Sequence, residues 1–283
     1  MKNLKIAIQK SGRLNEKSVQ ILKNCGLVFE NYKSSLITSV ANFPLEILFL
    51  RDDDIPGYVE QGIADLGIVG ENVIDESEAQ VSYIKRLGFG KCTLKLAIPK
   101  DSTIADLKDL NGKAIATSYP VILKNFLDEY NINADIRLIS GSVEISPGLG
   151  LSDAICDIVS TGGTLKSNGL KPFADVRRSE AILIGRKGLE DNHILCELVQ
   201  RIESVLMAKE TKYVVLNVEK KNLSAVTTLL HGVKSPTIVP LAEEGWVAVH
   251  TVISEDDFWE KINRLKAAGA QGIVVMPIEK IIM

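Results

Sequence analysis

Short runs of apolar and β-branched residues recur along this chain. Each ends in a turn rich in glycine, hydroxyl or charged residues and is followed by helical spacing. Residues 4–8, 45–50 and 63–70 open the series, and residues 94–99, 113–117, 136–139, 154–159 and 181–184 continue it. Strands separated by helices cannot pair through hairpins, so this order suggests α/β layers with a largely parallel sheet. A second α/β segment starts near Thr93, and the chain returns to the first near residues 177–185. The pattern predicts two similar lobes with a cleft between them, since open α/β sheets bind ligands beyond the carboxyl ends of their strands.

A helical period at Leu195, Leu198, Ile202, Val205 and Leu206 then leads into a third unit. Its order is strand (212–218), helix (223–230), strand (237–240), strand (246–253), helix and strand (272–276), which is the βαββαβ, ferredoxin-like arrangement. Ser254 with Asp257 three residues on marks the start of its second helix, and Gly269 marks the end. No enzyme-like polar constellation appears there, so a regulatory or assembly module is expected. The predicted domains are lobe I (1–92 and 178–209, with the connecting helix), lobe II (93–177) and the C-terminal module (210–283).

A hydrophobic content of 46% over 283 residues is enough for sizeable cores. The net charge of -3 and pI near 5.8 argue against a nucleic-acid partner and favour small anionic ligands held by local cations. No run of about 18 apolar residues exists to span a membrane. Residues 1–6 lead straight into a strand with no secretory pattern, so a cytoplasmic location is expected. Cys25, Cys92, Cys156 and Cys196 are widely separated and read as reduced thiols; His193, His231 and His250 show no zinc-ligand spacing.

The strongest local signal runs from Asp157 to Leu165: a buried strand, then Ser160, Thr161, Gly162, Gly163 and Thr164, then helical character. Glycines let backbone N–H groups wrap an anion, hydroxyls add donors, and a helix N-terminus favours negative charge. An ordinary strand-to-helix turn has a similar composition, and the GK[ST] ending of a Walker loop is absent. Glu144 and Asp157 offer acceptors for a ribose diol, or are solvated turn carboxylates. In lobe I, Lys10-Ser11-Gly12-Arg13 combines a glycine with two cations suited to di- or triphosphate oxygens, and Arg51 stands beside Asp52, Asp53 and Asp54. The acids read as a solvated loop, or as holders of hydrated Mg²⁺ or a sugar. Asp65-Leu66-Gly67-Ile68-Val69-Gly70 puts glycines where a strand approaches a ligand or another backbone. Tyr119 is either a base-stacking ring or a half-buried turn tyrosine.

Together these blocks resemble the ATP phosphoribosyltransferase family. Glu144, Gly150, Ser152, Ile155, Asp157-Ile158, Thr161-Gly162 and Thr164-Leu165 follow its signature; Gln9 to Leu14, Arg51 to Pro56, Asp65 to Gly70, Ile115 to Pro120, Ser235-Pro236-Thr237 and Pro277 to Lys280 match further blocks. The likeness covers nearly the whole chain and, through the C-terminal module, is to the long form. Residues 75–82 match no block. The resemblance implies a periplasmic-binding-protein-like catalytic core and a histidine-binding regulatory domain. The reaction it implies is displacement of pyrophosphate from C1 of phosphoribosyl pyrophosphate by N1 of the ATP adenine, with Mg²⁺, at the first step of histidine biosynthesis. It also implies feedback inhibition by histidine and a homo-hexamer built from dimers. On this reading Lys10, Arg13 and Arg51 are catalytic. Glu144, Asp157, Ser160, Thr161, Gly162, Gly163 and Thr164 bind phosphoribosyl pyrophosphate, Gly12, Asp65 and Tyr119 bind ATP, and Ser235 and Thr237 bind histidine. The chief rivals are a solute-binding protein of the same architecture, for which an export signal is expected, and an amino-acid sensor, for which the two lobes would be superfluous.

Overall fold

The structure, a computed structural model, describes residues 3–30, 35–159, 163–230 and 235–282. The chain forms two compact units, Met1–Cys196 and Glu197–Met283.

Within the first unit, lobe I is built on β1 (Leu4–Gln9), α1 (Arg13–Asn24), β2 (Ile37–Ser39), β3 (Leu45–Leu50), α2 (Ile55–Glu60), β4 (Leu66–Gly70), α3 (Glu71–Ser77) and β5 (Ser82–Arg86). Lobe II follows with β6 (Cys92–Pro99), β7 (Ala114–Thr117), α4 (Pro120–Glu129), β8 (Asp135–Leu138), β9 (Ala154–Val159), α5 (Gly163–Ser167) and β10 (Leu170–Ser179). The chain then re-enters lobe I as β11 (Ala181–Gly185) and continues into α6 (His193–Glu210). The sheets are ordered β2-β3-β1-β4-β11-β5 and β10-β6-β9-β7-β8. Glu180 is thus the residue between the two sheets on the return, inside the range that the apolar run at 181–184 predicts.

In lobe I, β3, β1 and β4 are parallel, so their carboxyl ends lie on one edge; Gln9 is level with Leu50. In lobe II, β7, β8 and β9 are parallel and end at Thr117, Leu138 and Val159. Each sheet is sealed by buried aliphatic side chains. Leu94, Leu96, Ile98, Ile115, Leu123 and Leu127 pack between the lobe II sheet and α4, and Ile55, Val59, Val69, Val73, Ile182 and Ile184 fill the corresponding layer of lobe I. Such closed layers hold the strand ends still enough for chemistry.

Three sequence expectations change here. Asp52–Asp54 forms a 3-10 turn that runs straight into α2, with Pro56 in its first turn, so the acids begin a helix and do not lie in an open loop. The glycine-rich strand at 66–70 serves packing: a Cβ on Gly67 would stand 2.7 Å from Ile55 Cγ2 and 3.1 Å from Ile184 Cγ1, which no side chain tolerates. The sheets are also mixed where a largely parallel sheet is expected: β2 and β11 run antiparallel to β3 and β4, and β6 runs antiparallel to β9 and β10.

The second unit contains β12 (Thr211–Glu219), α7 (Leu223–Leu229), β13 (Thr237–Pro240), β14 (Trp246–Ser254), α8 (Glu255–Ala267) and β15 (Gln271–Pro277) in one antiparallel sheet ordered β13-β14-β12-β15. This is the ferredoxin-like order that the hydrophobic pattern predicts. Ser254 caps α8, its Oγ accepting the Asp257 N–H at 3.1 Å. The compact unit begins inside α6, earlier than the 210 boundary read from the sequence, and the Ile281 N–H bonds to the carbonyl of Ser204 in that helix.

Candidate active site

The carboxyl edge of lobe I carries cations. Lys10 leaves β1 and Arg51 leaves β3, held level by a 2.7 Å bond from the Lys10 N–H to the Leu50 carbonyl. Gly12 takes φ +89° and ψ -177° just before α1, a conformation that glycine alone adopts freely, and this swings Arg13 into the first helical position. Asn15 is buried and ties the helix back to the strand, its Nδ2 donating to the Gln9 carbonyl at 2.6 Å. No side chain caps α1, so its first N–H groups stay open to an anion. Lys10, Arg13 and Arg51 are exposed and none makes a salt bridge among the described residues.

The facing edge of lobe II carries acids and donors. Glu144 lies in a 3-10 turn, Val143–Ile145, close to Asp157 near the end of β9. Burial, and then the neighbouring Glu144 charge, pushes the Asp157 carboxyl above its usual pKa, against the pull of the Ile158 N–H at 2.7 Å. Tyr119 precedes α4 in a turn pinned by the Thr117 Oγ1, which accepts the Tyr119 N–H at 2.9 Å, and by the Ser118 Oγ, which donates to the Ile139 carbonyl at 2.6 Å. Its phenol is held protonated by burial and then by the charges of Asp157, Asp52 and Asp53. Tyr119 therefore feels carboxylates from both lobes, which places it where the two edges meet. Asp53, on the lobe I side, is likewise raised by burial and by Asp52 and Asp54.

Ser160, Thr161 and Gly162, the centre of the anion cradle, lie outside the described residues; Gly163 and Thr164 are exposed at the start of α5, while Leu165 anchors that helix in the core. A cavity of about 310 Å³ opens beside Val159, the residue before the cradle, against Arg86, Lys91, Arg178 and Glu180. Asp65 is not in this group. It precedes β4, at the opposite edge of the sheet, where its carboxylate accepts the Lys5 N–H at 2.9 Å and the Arg186 Nε at 2.9 Å. That position sets it apart from the cations of the carboxyl edge, where the ATP phosphates are expected. In the second unit, Ser235 and Thr237 are exposed at the start of β13, with Thr237 paired to His250, whose Nδ1 lies 2.9 Å from the Tyr213 hydroxyl.

Sequence reasoning left α3 and residues 75–82 without a role, yet Asp75 and Glu76 both reach lobe II, at 2.7 Å to Arg177 and at 3.0 Å to two backbone N–H groups of α4. The pattern Glu71, Asn72, Asp75, Glu76 places four polar residues on one helical stripe and is the signal that points to them.

Cations on one lobe and a crowded carboxylate pair with hydroxyl donors on the other suit an enzyme that aligns two polyanions, a group transferase acting on a phosphorylated sugar. The model of the family described as ATP phosphoribosyltransferase (HisG) matches residues 51–204, and that described as HisG, C-terminal domain, matches residues 208–280. The chain belongs to the ATP phosphoribosyltransferase family. It is 55% identical over 281 residues to the ATP phosphoribosyltransferase of Cytophaga hutchinsonii, covering 99% of this chain and 98% of the relative. It is 53% identical over 282 residues to that of Bacteroides thetaiotaomicron, covering 99% and 100%. Among solved structures, the ATP phosphoribosyl transferase (HisG:HisZ) complex from Thermotoga maritima aligns with a TM-score of 0.61 and 30% identity, over 71% of this chain and 98% of that one. The reaction is therefore condensation of ATP, through adenine N1, with 5-phosphoribosyl 1-pyrophosphate, giving 1-(5-phosphoribosyl)-ATP and pyrophosphate at the first step of histidine biosynthesis. Among the described residues no helix is long and apolar enough to cross a membrane.

Proposed function

We propose that the two edges of the cleft divide the reaction between them. The lobe II edge seats the phosphoribosyl group, with the 5-phosphate on Ser160, Thr161, Gly162, Gly163 and Thr164 and the ribose hydroxyls on Glu144 and Asp157. The lobe I edge, Lys10, Arg13 and Arg51 with Gly12 at the turn, takes the diphosphate of phosphoribosyl pyrophosphate and the ATP phosphates. Tyr119, neutral and between the edges, lies beside the adenine. The observation that carries this reading is the state of Asp157: a carboxylate half-buried beside Glu144, with its pKa raised, fits an incoming diol or cation.

Adenine N1 supplies the electron pair that forms the new bond to C1, and the C1–O bond breaks towards pyrophosphate, so the protein needs no nucleophile of its own. Its work is alignment, together with stabilisation of the charge that grows on the leaving pyrophosphate. The hard oxygen donors Glu144 and Asp157 fit Mg²⁺, which usually binds through substrate phosphates and few protein carboxylates; when bound it would neutralise diphosphate charge. Replacing Arg51 or Arg13 with Ala should lower kcat/KM by roughly 10- to 100-fold, the scale of a lost charged hydrogen bond. Unchanged kcat and unchanged KM for both substrates would remove the cations from the map.

The second unit is the natural seat of feedback control, with histidine bound at Ser235 and Thr237, in a cytoplasmic hexamer assembled from dimers. A chain ending near Thr211 should lose inhibition by histidine. Retained sensitivity in that truncated chain would place the inhibitor elsewhere.

A further inference from the structure

Helix α3 carries Glu71, Asn72, Asp75 and Glu76 along one stripe, and each is committed to lobe II or to the strands crossing to it. The Glu71 carboxylate holds Arg86 at 2.6 Å while its N–H donates to the Glu180 carbonyl at 3.0 Å. The Asn72 N–H donates to the Ser179 Oγ at 3.1 Å, and that hydroxyl donates to the Asn72 Oδ1 at 2.8 Å, all of it buried. Asp75 pairs with Arg177 of β10 at 2.7 Å. Glu76 makes the contact with the most direct bearing on the site: its two carboxylate oxygens accept the N–H groups of Val121 and Ile122, each at 3.0 Å.

Those N–H groups belong to the first turn of α4 and have no intrahelical acceptor. Capping ordinarily comes from the residue just before the helix. Here that residue is Tyr119, which makes no side-chain cap, and Pro120 follows it. A carboxylate from the opposite lobe supplies the cap in its place. The start of α4 is continuous with the Ser118-Tyr119 turn, and Tyr119 is the side chain that senses both Asp157 of lobe II and Asp52 and Asp53 of lobe I. The bond from Glu76 thus fixes where the edge of lobe II stands relative to that of lobe I.

We infer that Glu76 is a positioning residue for phosphoribosyl transfer, capping α4 across the cleft so that the two substrate-bearing edges are held at reacting distance. This rests on the two-edge reading above. Glu76 touches no reacting atom. Its loss should leave each edge able to bind its own ligand and should impair their alignment, which shows in turnover and not in affinity.

The test compares Glu76→Ala, Glu76→Gln and Glu76→Asp in the full chain with Ser254→Ala, which removes a helix cap in the second unit. For each variant, kcat is measured with both substrates, Kd for ATP and for phosphoribosyl pyrophosphate separately, and Tm. Glu76→Ala should lower kcat about tenfold or more, as misalignment does, with both Kd values within about twofold. Glu76→Gln keeps one of the two acceptor oxygens and should recover part of the rate; Glu76→Asp is a methylene too short and should recover less. Ser254→Ala should lower Tm alone. If Glu76→Ala does not fold, the Gln and Asp variants decide, and equal kcat in both and in the parent overturns the inference. A parental kcat in Glu76→Ala with only a lowered Tm overturns it as well. Arg51→Ala, measured alongside, separates the failures: kinetics untouched by Arg51→Ala sink the two-edge reading, whereas an Arg51 loss beside a silent Glu76 sinks only the positioning role.

Discussion

The two edges of the cleft solve opposite problems. On lobe I, Lys10, Arg13 and Arg51 stand exposed and without salt bridges among the described residues, waiting for charge that only a ligand brings. On lobe II, Asp157 is crowded by burial and by Glu144, against a single bond from the Ile158 N–H. The first edge can remain well solvated until substrate arrives. The second carries an electrostatic cost in the empty protein that a bound sugar would relieve. Difference of this kind separates a binding surface that recruits polyanions from one that must recognise a particular hydroxyl pattern.

The largest effect that sharpens this contrast is expected at Asp157. Asp157→Asn removes the negative charge and one of the two acceptor oxygens offered to the ribose, and should lower kcat/KM for phosphoribosyl pyrophosphate by roughly 100-fold, the upper range for a hydrogen bond to a charged group. The same substitution should leave the empty protein as stable as the parent, or more so, at neutral pH. The sign follows from linkage: a raised native pKa means the folded state holds the proton more tightly than the unfolded chain does. Asp157 therefore favours folding only while protonated, below its unfolded value of 3.8, and that contribution is lost as pH rises through the native pKa. A melting series across pH would show the carboxylate's cost above that range and none in the Asn variant. A clear fall in Tm at neutral pH would mean that Asp157 serves the fold.

A smaller effect is expected at Glu144. Asp157 accepts hydroxyl donors most strongly when ionised, so its raised pKa moves the acid limb of kcat/KM to higher pH than an ordinary aspartate gives. Glu144→Gln removes one of the causes of that rise and should shift the limb to lower pH, even as it reduces the rate. A limb that stays in place would separate the two carboxylates.

The smallest effect on catalysis belongs to Asp65. Its bonds to Lys5 and Arg186 at the far edge of the sheet mean that Asp65→Ala should cost stability and leave KM for ATP unchanged. A raised KM for ATP in a folded Asp65→Ala protein would return it to the site.

Much of this architecture is legible from apolar period alone. The strand at 181–184 reveals the return to lobe I, and the Ser254–Asp257 spacing locates α8, because each depends on local side-chain chemistry. What period does not reveal is partnership. Asp65 and Asp157 are both acids of β-rich runs, yet one precedes its strand and meets an arginine while the other lies near the end of its strand and meets another acid. Gly12 and Gly67 look alike as letters, but the first is required by a positive φ and the second by the Ile55 side chain. The polar stripe of α3 marks Glu76 but not its partners, which are backbone N–H groups of another lobe that no residue type reveals.

The division of labour is tested most directly with ribose 5-phosphate, which carries the sugar and 5-phosphate of the substrate and lacks its diphosphate. Calorimetric titration of the parent, Asp157→Asn and Arg51→Ala proteins reads one edge at a time. The account predicts that Asp157→Asn weakens ribose 5-phosphate binding by about tenfold or more, on the scale of a lost charged hydrogen bond, while Arg51→Ala binds it like the parent. Equal weakening in both variants, or loss in Arg51→Ala alone, would contradict it.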